Sequence, residues 1–425
     1  MERMTLCSGV ELTVLKDTRY KTNRISVNFL MPLQKETAAA NGMVPLILSR
    51  ACEKYPDFTQ LNQHLAELYG AQVGGGVRKI GEVQVLTLSI GAIHDRFALH
   101  GEALSAECAE LLISMLFSPV LEGGSFREED FAQEKRQLLE EMQGEFNDKR
   151  SFSAKRCREI MFEGEAYGIG RYGDAADVKA LTRERVTQAW REMLAYARVK
   201  IVLLGDLETG EISEKFRAAF SKVERGEFLE CGTVTGKEKT EPKEIVERFD
   251  VAQAKLVMGF RTEIAEPSEK TMAMRFMSAL LGGTAHSKLF VNVREKLSLC
   301  YYCISQYFRN KGILFIESGI EEKNKEAAQT EILRQLEAIR QGEITEEELS
   351  ATRLSMENSF RTVTDSQFAM ENWYLMQTFD RECLTPEEAL LRLREVTKED
   401  LIECAKTVWL DTVYVLAGKE KEEQE

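Results

Sequence analysis

The sequence predicts an α+β fold built from two homologous domains, each a mainly antiparallel sheet backed by helices. Three observations lead to this prediction: alternating strand patterns, long amphipathic helices, and the recurrence of both in the same order in each half of the chain. At 425 residues the chain is also too long for one ordinary core. We therefore predict domains at residues 1–221 and 248–425, joined by a charged linker at 222–247.

Each predicted domain opens with a strand that is followed by an apolar helix. Residues 24–30 alternate between apolar and polar side chains like a strand, and a helix is expected over about residues 38–52. The second half repeats this pattern, with a strand at 255–260 and a helix over about 270–281. The repetition indicates duplicated domains rather than a solenoid of short repeats.

The later parts of the two predicted domains also resemble each other. Each contains a long charged amphipathic helix, then a shorter helix that leads into a closing strand. In the first half these elements are expected at about 127–147, from 181 and at 199–206, and in the second half at about 345–362, from 396 and at 412–419.

Composition restricts the classes of function. The chain is 44% hydrophobic and 30% charged, which is typical of a globular protein. The net charge of −14 disfavours nucleic acid and anionic membranes as partners. No apolar run is long enough for a transmembrane helix, and the first residues show no secretory signal. Nine dispersed cysteines indicate reduced thiols, so we expect a cytoplasmic protein.

Cys300 and Cys303 form a C-x-x-C pair within an aromatic, strand-like run. Residues three apart on a regular strand point to opposite faces. We therefore predict that this pair is neither a redox nor a metal site.

Several segments follow one another in an order that resembles the insulinase/pitrilysin-type zinc peptidases, whose motif is the inverted H-x-x-E-H. The resemblance covers about residues 5–420 and implies two α+β halves that close on a peptide. The segments are Gly42, 55–58, 61–71, 131–142, 166–168, 205–206 and 281–301.

The zinc motif itself is missing. Alignment on Gly42 puts Pro45 at the first His, Leu48 at the Glu and Ser49 at the second His. Proline and leucine offer a metal no lone pair, and serine is a poor zinc ligand. The resemblance therefore implies a non-catalytic bacterial member with no cofactor of its own. Since proline is best tolerated in the first turn of a helix, we expect a buried helix that begins near residues 42–44 or bends there.

In active members a later helix supplies the third zinc ligand, which by resemblance is Glu141. Glu134 lies seven residues earlier, on the same face of the predicted helix. Both are remnant carboxylates in this interpretation, and the alternative is that they are solvated positions on a charged helix. The histidines cannot rebuild the site, because their spacing fits no single-helix or hairpin zinc site. They are His64, His94, His100 and His286.

Arg294 and Tyr301 lie in the segment of the second half that is most similar to the family. In active members the matching Arg and Tyr hold the substrate backbone and the oxyanion formed during peptide hydrolysis. A guanidinium and a phenol suit that role, since both donate hydrogen bonds to a developing negative oxygen. The alternative is a surface Arg–Glu pair and a tyrosine on a half-buried strand.

These observations favour a non-catalytic subunit of a heterodimeric zinc peptidase, which completes the peptide-binding chamber. A catalytic insulinase-type paralogue with an intact zinc motif would supply the zinc. Two alternatives stay open: a stand-alone peptide-binding or assembly protein, and an active metallopeptidase with a rearranged metal site.

Overall fold

The computed structural model describes residues 1–236 and 238–419, so Lys237 of the predicted linker and residues 420–425 of the predicted second domain lie outside the described residues. The chain forms two compact units. The first unit consists of Met1–Gln143 and Ile169–Gly232, and the second consists of Gly144–Gly168 and the chain from Thr233 onwards.

Strands and helices alternate along both units, and the predicted α+β class is confirmed. In chain order the elements are β1 (Glu2–Cys7), β2 (Val10–Lys16), β3 (Thr22–Pro32), α1 (Lys35–Leu48), α2 (Phe58–Glu67), β4 (Gln72–Ile80), β5 (Val83–Ile93), α3 (Leu104–Phe117), β6 (Leu121–Glu122), β7 (Ser125–Phe126), α4 (Glu128–Gly144), α5 (Lys149–Met161), α6 (Ala175–Ala180), α7 (Arg183–Tyr196), β8 (Arg198–Gly205), α8 (Thr209–Phe220), β9 (Lys243–Phe249), β10 (Ala254–Thr262), α9 (Thr271–Ser278), β11 (Cys300–Phe308), β12 (Ile313–Ile320), α10 (Lys325–Arg340), α11 (Glu346–Arg361), α12 (Gln367–Leu375), α13 (Pro386–Glu395), α14 (Lys398–Lys406) and β13 (Val408–Gly418).

Each unit is built on one mainly antiparallel sheet. The strand order is β1-β2-β8-β3-β5-β4 in the first unit and β11-β12-β10-β13-β9 in the second. In each sheet a single neighbouring pair is parallel, β2 with β8 and β9 with β13. The central strand β10 is buried on both faces: Leu256 and Met258 face the helices α9–α14, whereas Val257 faces α5.

The predicted helix starts are confirmed where the sequence carries a capping box. Thr345 and Glu348 cap α11 reciprocally, and Thr397 and Asp400 do the same for α14. Each pair satisfies backbone N–H groups that have no partner within the helix. Among the described residues, none of the helices combines the length and the apolar character needed to span a bilayer.

The division of the chain differs from the predicted boundaries in two places. The segment at 144–168 belongs to the second unit, because α5 buries Cys157 and Met161 against the sheet of that unit. In addition, the end of the predicted linker is the start of β9, which pairs in parallel with β13. Both differences arise from contacts between residues that are distant in sequence, which local patterns do not report.

Candidate functional site

The degenerate motif lies in α1, a helix buried along most of its length. The helix begins at Lys35 rather than near residues 42–44, and Pro45 lies inside its last turns. The alanine-rich start forms the helix well before the proline, which removes one N–H donor and crowds the carbonyl group four residues earlier. Pro45 and Leu48 are buried in the first unit. Ser49 caps the helix end, and its Oγ donates a hydrogen bond to the Leu46 carbonyl at 2.8 Å.

Glu134 is held by Arg50, a cation that no sequence motif indicates. The Arg50 guanidinium donates from Nη1 to Glu134 Oε1 at 2.8 Å, from Nε to Asp130 Oδ1 at 3.0 Å and from Nη2 to Gln133 Oε1 at 3.0 Å. The Arg50 and Glu134 side chains are each only 12% exposed. Burial opposes the charge of Arg50, but the hydrogen bonds that it donates to Glu134 and Asp130 outweigh burial and raise the pKa of Arg50. Arg50 directly follows Ser49, so it places a positive charge next to the degenerate motif.

Glu141 has a different environment from Glu134, although both lie on α4. Its side chain is 57% exposed, and one oxygen lies 3.2 Å from Nη2 of Arg171. The two carboxylates therefore do not converge on one point. Glu134 takes part in a buried ion pair, whereas Glu141 takes part in a surface ion pair.

The residues at the degenerate motif do not fit a zinc ion. Pro45 and Leu48 carry no donor atom, and the Ser49 hydroxyl is bound to a backbone carbonyl. The Glu134 carboxylate is already neutralised by Arg50. Among the residues that the structure describes, no group of three His, Cys, Asp or Glu side chains could hold a metal.

The predicted pair of Arg294 and Tyr301 does come together, in the second unit. Arg294 projects from a π-helical segment, Phe290–Lys296, with its guanidinium 4.6 Å from the centre of the Phe290 ring. Its side chain is 41% exposed, and its Nε lies 3.6 Å from the Glu295 carboxylate. Tyr301, at the start of β11, is 62% exposed. Both residues line a pocket of about 360 Å³.

The pocket provides polar groups around an open space. Glu321 and Asn324, which follow the end of β12, also line this pocket. Neither the guanidinium nor the phenol is buried, so both can donate to a ligand without first losing a tight internal partner.

Comparison with known proteins places the chain in one family. Residues 180–356 match the family described as "Peptidase M16 inactive domain". The chain is 30% identical over 415 residues to the "Probable inactive metalloprotease YmfF" of Bacillus subtilis. The aligned region covers 97% of this chain and 96% of that protein. The expected resemblance to a non-catalytic bacterial member of the insulinase/pitrilysin-type family is confirmed.

Solved structures agree on the fold. A conserved protein from Enterococcus faecalis superposes with a TM-score of 0.91 at 29% identity and covers 99% of both chains. A peptidase M16 inactive domain from Pseudomonas fluorescens superposes with a TM-score of 0.79 at 15% identity, over 100% of this chain and 99% of that one. The chain belongs to the M16, or insulinase/pitrilysin-type, peptidase family and resembles its inactive members.

Proposed function

We propose that this chain is the non-catalytic subunit of a heterodimeric zinc peptidase and completes its peptide-binding chamber. The proposal rests on the difference between the positions that match the zinc motif of the family and those that match its substrate-binding Arg and Tyr. The positions of the zinc motif hold Pro45, Leu48 and Ser49, whereas Arg294 and Tyr301 stand together at an accessible pocket. Folding alone does not require an exposed arginine and tyrosine at one pocket, so a role in binding accounts for them better.

In the proposed complex, a catalytic paralogue with an intact H-x-x-E-H motif holds the zinc. Arg294 and Tyr301 donate hydrogen bonds to the backbone of the peptide substrate and to the oxygen that gains negative charge as the peptide bond is attacked. We place the complex in the cytoplasm, since an odd number of cysteines dispersed along the chain is typical of reduced thiols. The net charge of −14 argues against a nucleic-acid partner.

Co-expression with a paralogue that has the intact motif, followed by a peptide-cleavage assay on the co-purified complex, tests the proposal. If Tyr301 acts on the transition state, Tyr301→Phe lowers turnover on the order of 10²-fold, about 3 kcal/mol, and leaves co-purification unchanged. Tyr196→Phe, at another exposed tyrosine, is the matched control and retains full turnover. Unchanged turnover for both Tyr301→Phe and Arg294→Ala would reject a role for this pocket in the reaction.

A second candidate is a stand-alone peptide-binding or assembly protein. It is favoured by the position of β11 at the edge of its sheet, where one side of the strand pairs with no other strand among the described residues. An extended peptide can add to such an edge, with Tyr301 beside it. Peptide binding by the isolated chain, together with failure to associate with any intact-motif paralogue, would favour this candidate over the first.

A further inference from the structure

The edge strand β11 contains a β-bulge between two cysteines. Cys300 pairs with Ile320 and Tyr302 pairs with Gly319, so Tyr301 is the extra residue. An extra residue shifts the alternation of side chains by one position. Cys300 and Cys303 consequently both belong to the apolar core of the second unit. The prediction that they point to opposite faces is wrong, because it assumed a regular strand.

Tyr302 shows where the other face of the strand lies. Its ring packs against Gly319 and beneath the Arg150 guanidinium, which lies 4.7 Å from the ring centre. The two cysteines on the opposite face are nearly covered, at 8% exposure for Cys300 and 2% for Cys303. The bulge therefore places the two thiols and the Tyr302 ring on opposite faces of β11.

The two thiols differ in their acid–base behaviour. A hydrogen bond from Cys303 lowers the pKa of Cys300 to about 7; the Ser318 hydroxyl and the Arg294 charge add to this effect, whereas burial opposes it. The same interaction, together with burial, raises the pKa of Cys303 well above its usual range. One sulfur is thus prepared as a thiolate and its neighbour stays a thiol.

Cys300 is also accessible to a small solute. It lines the pocket of about 360 Å³ that Arg294 and Tyr301 share. Two other buried cysteines are much less acidic than Cys300, since burial raises the pKa of Cys108 and of Cys404 to about 12. Nucleophilic reactivity follows the thiolate fraction and access, and Cys300 has both.

We propose that Cys300 and Cys303 form an oxidisable dithiol, in which Cys300 attacks a hydroperoxide and Cys303 resolves the product. The Cys300 sulfur attacks one peroxide oxygen and the O–O bond breaks. Cys300 becomes a sulfenic acid, and the other oxygen takes up a proton and leaves as water or an alcohol. The Cys303 sulfur then attacks the Cys300 sulfur. The S–O bond breaks, water leaves with the proton of Cys303, and a disulfide forms, so that two electrons pass from the sulfurs to the peroxide.

The disulfide requires the start of β11 to move inwards. In a fully extended strand, Cα atoms three residues apart are about 10 Å from each other, and a disulfide needs less than about 7 Å. The bulge shortens this path. Cys300 is the first residue of an edge strand and follows a turn in which Ser298 has a φ of 50°. Tyr301 lies between the two sulfurs in sequence, so oxidation also changes its position in the pocket.

The test uses the purified full-length chain and hydrogen peroxide, followed by denaturation, alkylation with iodoacetamide and mass spectrometry. The tryptic peptide 297–309 contains both cysteines and no other. We expect this peptide to lose two hydrogen atoms and both alkyl groups, and dithiothreitol to reverse the change. At neutral pH Cys300 should react about 10-fold faster than an ordinary thiol, because about half of it is thiolate.

Two variants assign the roles of the sulfurs. Cys303→Ser leaves the attacking sulfur without its resolving partner, so a sulfenic acid accumulates at Cys300 and is trapped by dimedone. Cys300→Ser slows oxidation of the peptide about 10-fold or more. The half-exposed Cys7, Cys231 and Cys383 are internal controls in every sample. If any of them is oxidised before peptide 297–309, or if this peptide stays fully alkylated, the proposal is overturned; the wild-type experiment decides this even if a variant misfolds.

Discussion

Arg50 follows the end of α1, and its guanidinium donates hydrogen bonds to three side chains of α4. Its partners Asp130 and Glu134 are buried carboxylates, and Asp130 also contacts Arg127 at 2.8 Å. Without Arg50, Glu134 would be a buried charge that has no cation at hydrogen-bond distance within the described part of the chain. Removal of one member of a buried ion pair destabilises a protein by more than the intact pair stabilises it, because the remaining charge has neither water nor a partner.

We therefore expect Arg50→Leu to lower the free energy of unfolding by about 3–5 kcal/mol. Addition of Glu134→Leu should recover part of the loss, because it removes the unpaired charge. Arg136→Ala is the matched control: Arg136 pairs with Glu140 on the same helix, but the pair is exposed and contributes at most about 1 kcal/mol. Urea unfolding of the four proteins measures the effect. If Arg50→Leu lowers the free energy of unfolding no more than Arg136→Ala does, the result would contradict a stabilising role for the ion pairs of Arg50.

Asp380 leads to a prediction about pH. Burial raises the pKa of its carboxyl to about 7, assisted by the charge of Glu266 and opposed by those of Arg309 and Arg275. Its Oδ2 lies 3.0 Å from Arg309, whereas Oδ1 has no hydrogen-bond partner within the described ranges. The folded state therefore binds the proton more tightly than the unfolded chain, whose Asp has a pKa near 3.9. The tighter binding of this proton stabilises the folded state fully below about pH 4, and the stabilisation is lost as the pH rises through about 7.

Asp380→Asn removes the ionisation and keeps the shape of the side chain. We expect the variant to gain stability relative to the wild type between pH 5 and pH 8, because only the wild type must place a charge at this position. Urea midpoints at both pH values measure the difference. An offset between the two proteins that is the same at pH 5 and pH 8 would show that Asp380 does not titrate in this range.

At the scale of elements, the close approach of β4 to α1 depends on one glycine. A Cβ on Gly75 would lie 1.9 Å from the Pro45 carbonyl oxygen, which is a backbone atom and cannot rotate away. The next residue, Gly76, has nothing within 4 Å of the same position. Only the first of these two neighbouring glycines is therefore required by the packing of the helix on the sheet.

Gly75→Ala should accordingly destabilise the protein, at or above the upper end of the 1–3 kcal/mol that is typical of overpacking. Gly76→Ala is the matched control on the same strand and should be neutral or stabilise by about 0.5 kcal/mol, since it restricts the unfolded chain. Thermal unfolding of both variants compares them directly. Equal melting temperatures would mean that α1 moves away from β4 without cost.

The same elements show what the sequence could predict. Strands and helices that depend on local periodicity, such as β3, β10 and α4, are found where the patterns predicted them. Residues 74–76, in contrast, are three successive glycines, which are unfavourable in a strand, yet β4 pairs with β5 through them in unbroken register. The contacts of Gly75 with Pro45 and of Arg50 with Glu134 join residues far apart in the chain. No local pattern encodes them, and the bulge at Tyr301 has no glycine to mark it.

At the scale of the whole molecule, the two units do not correspond to the two halves of the sequence. The helix α5 comes from the first half of the sequence, yet it is part of the second unit. It buries Cys157 and Met161 against Val257, Phe315 and Tyr414. A cut within 222–247 would therefore separate the second sheet from the helix that covers one of its faces. The units are compact in space but are not two consecutive pieces of chain.

We expect the isolated chain to bind no stoichiometric zinc and to hydrolyse no peptide. Pro45 and Leu48 provide no ligand, the Ser49 hydroxyl is bound to the helix, and Arg50 already neutralises Glu134. Zinc would have to displace an internal cation and would gain at most one or two carboxylates, which bind it weakly. Elemental analysis and a peptide-cleavage assay on the pure chain test this, with an intact-motif paralogue purified in the same way as the positive control. One tightly held zinc per chain, with peptidase activity that a chelator abolishes, would contradict the prediction and would favour a rearranged metal site.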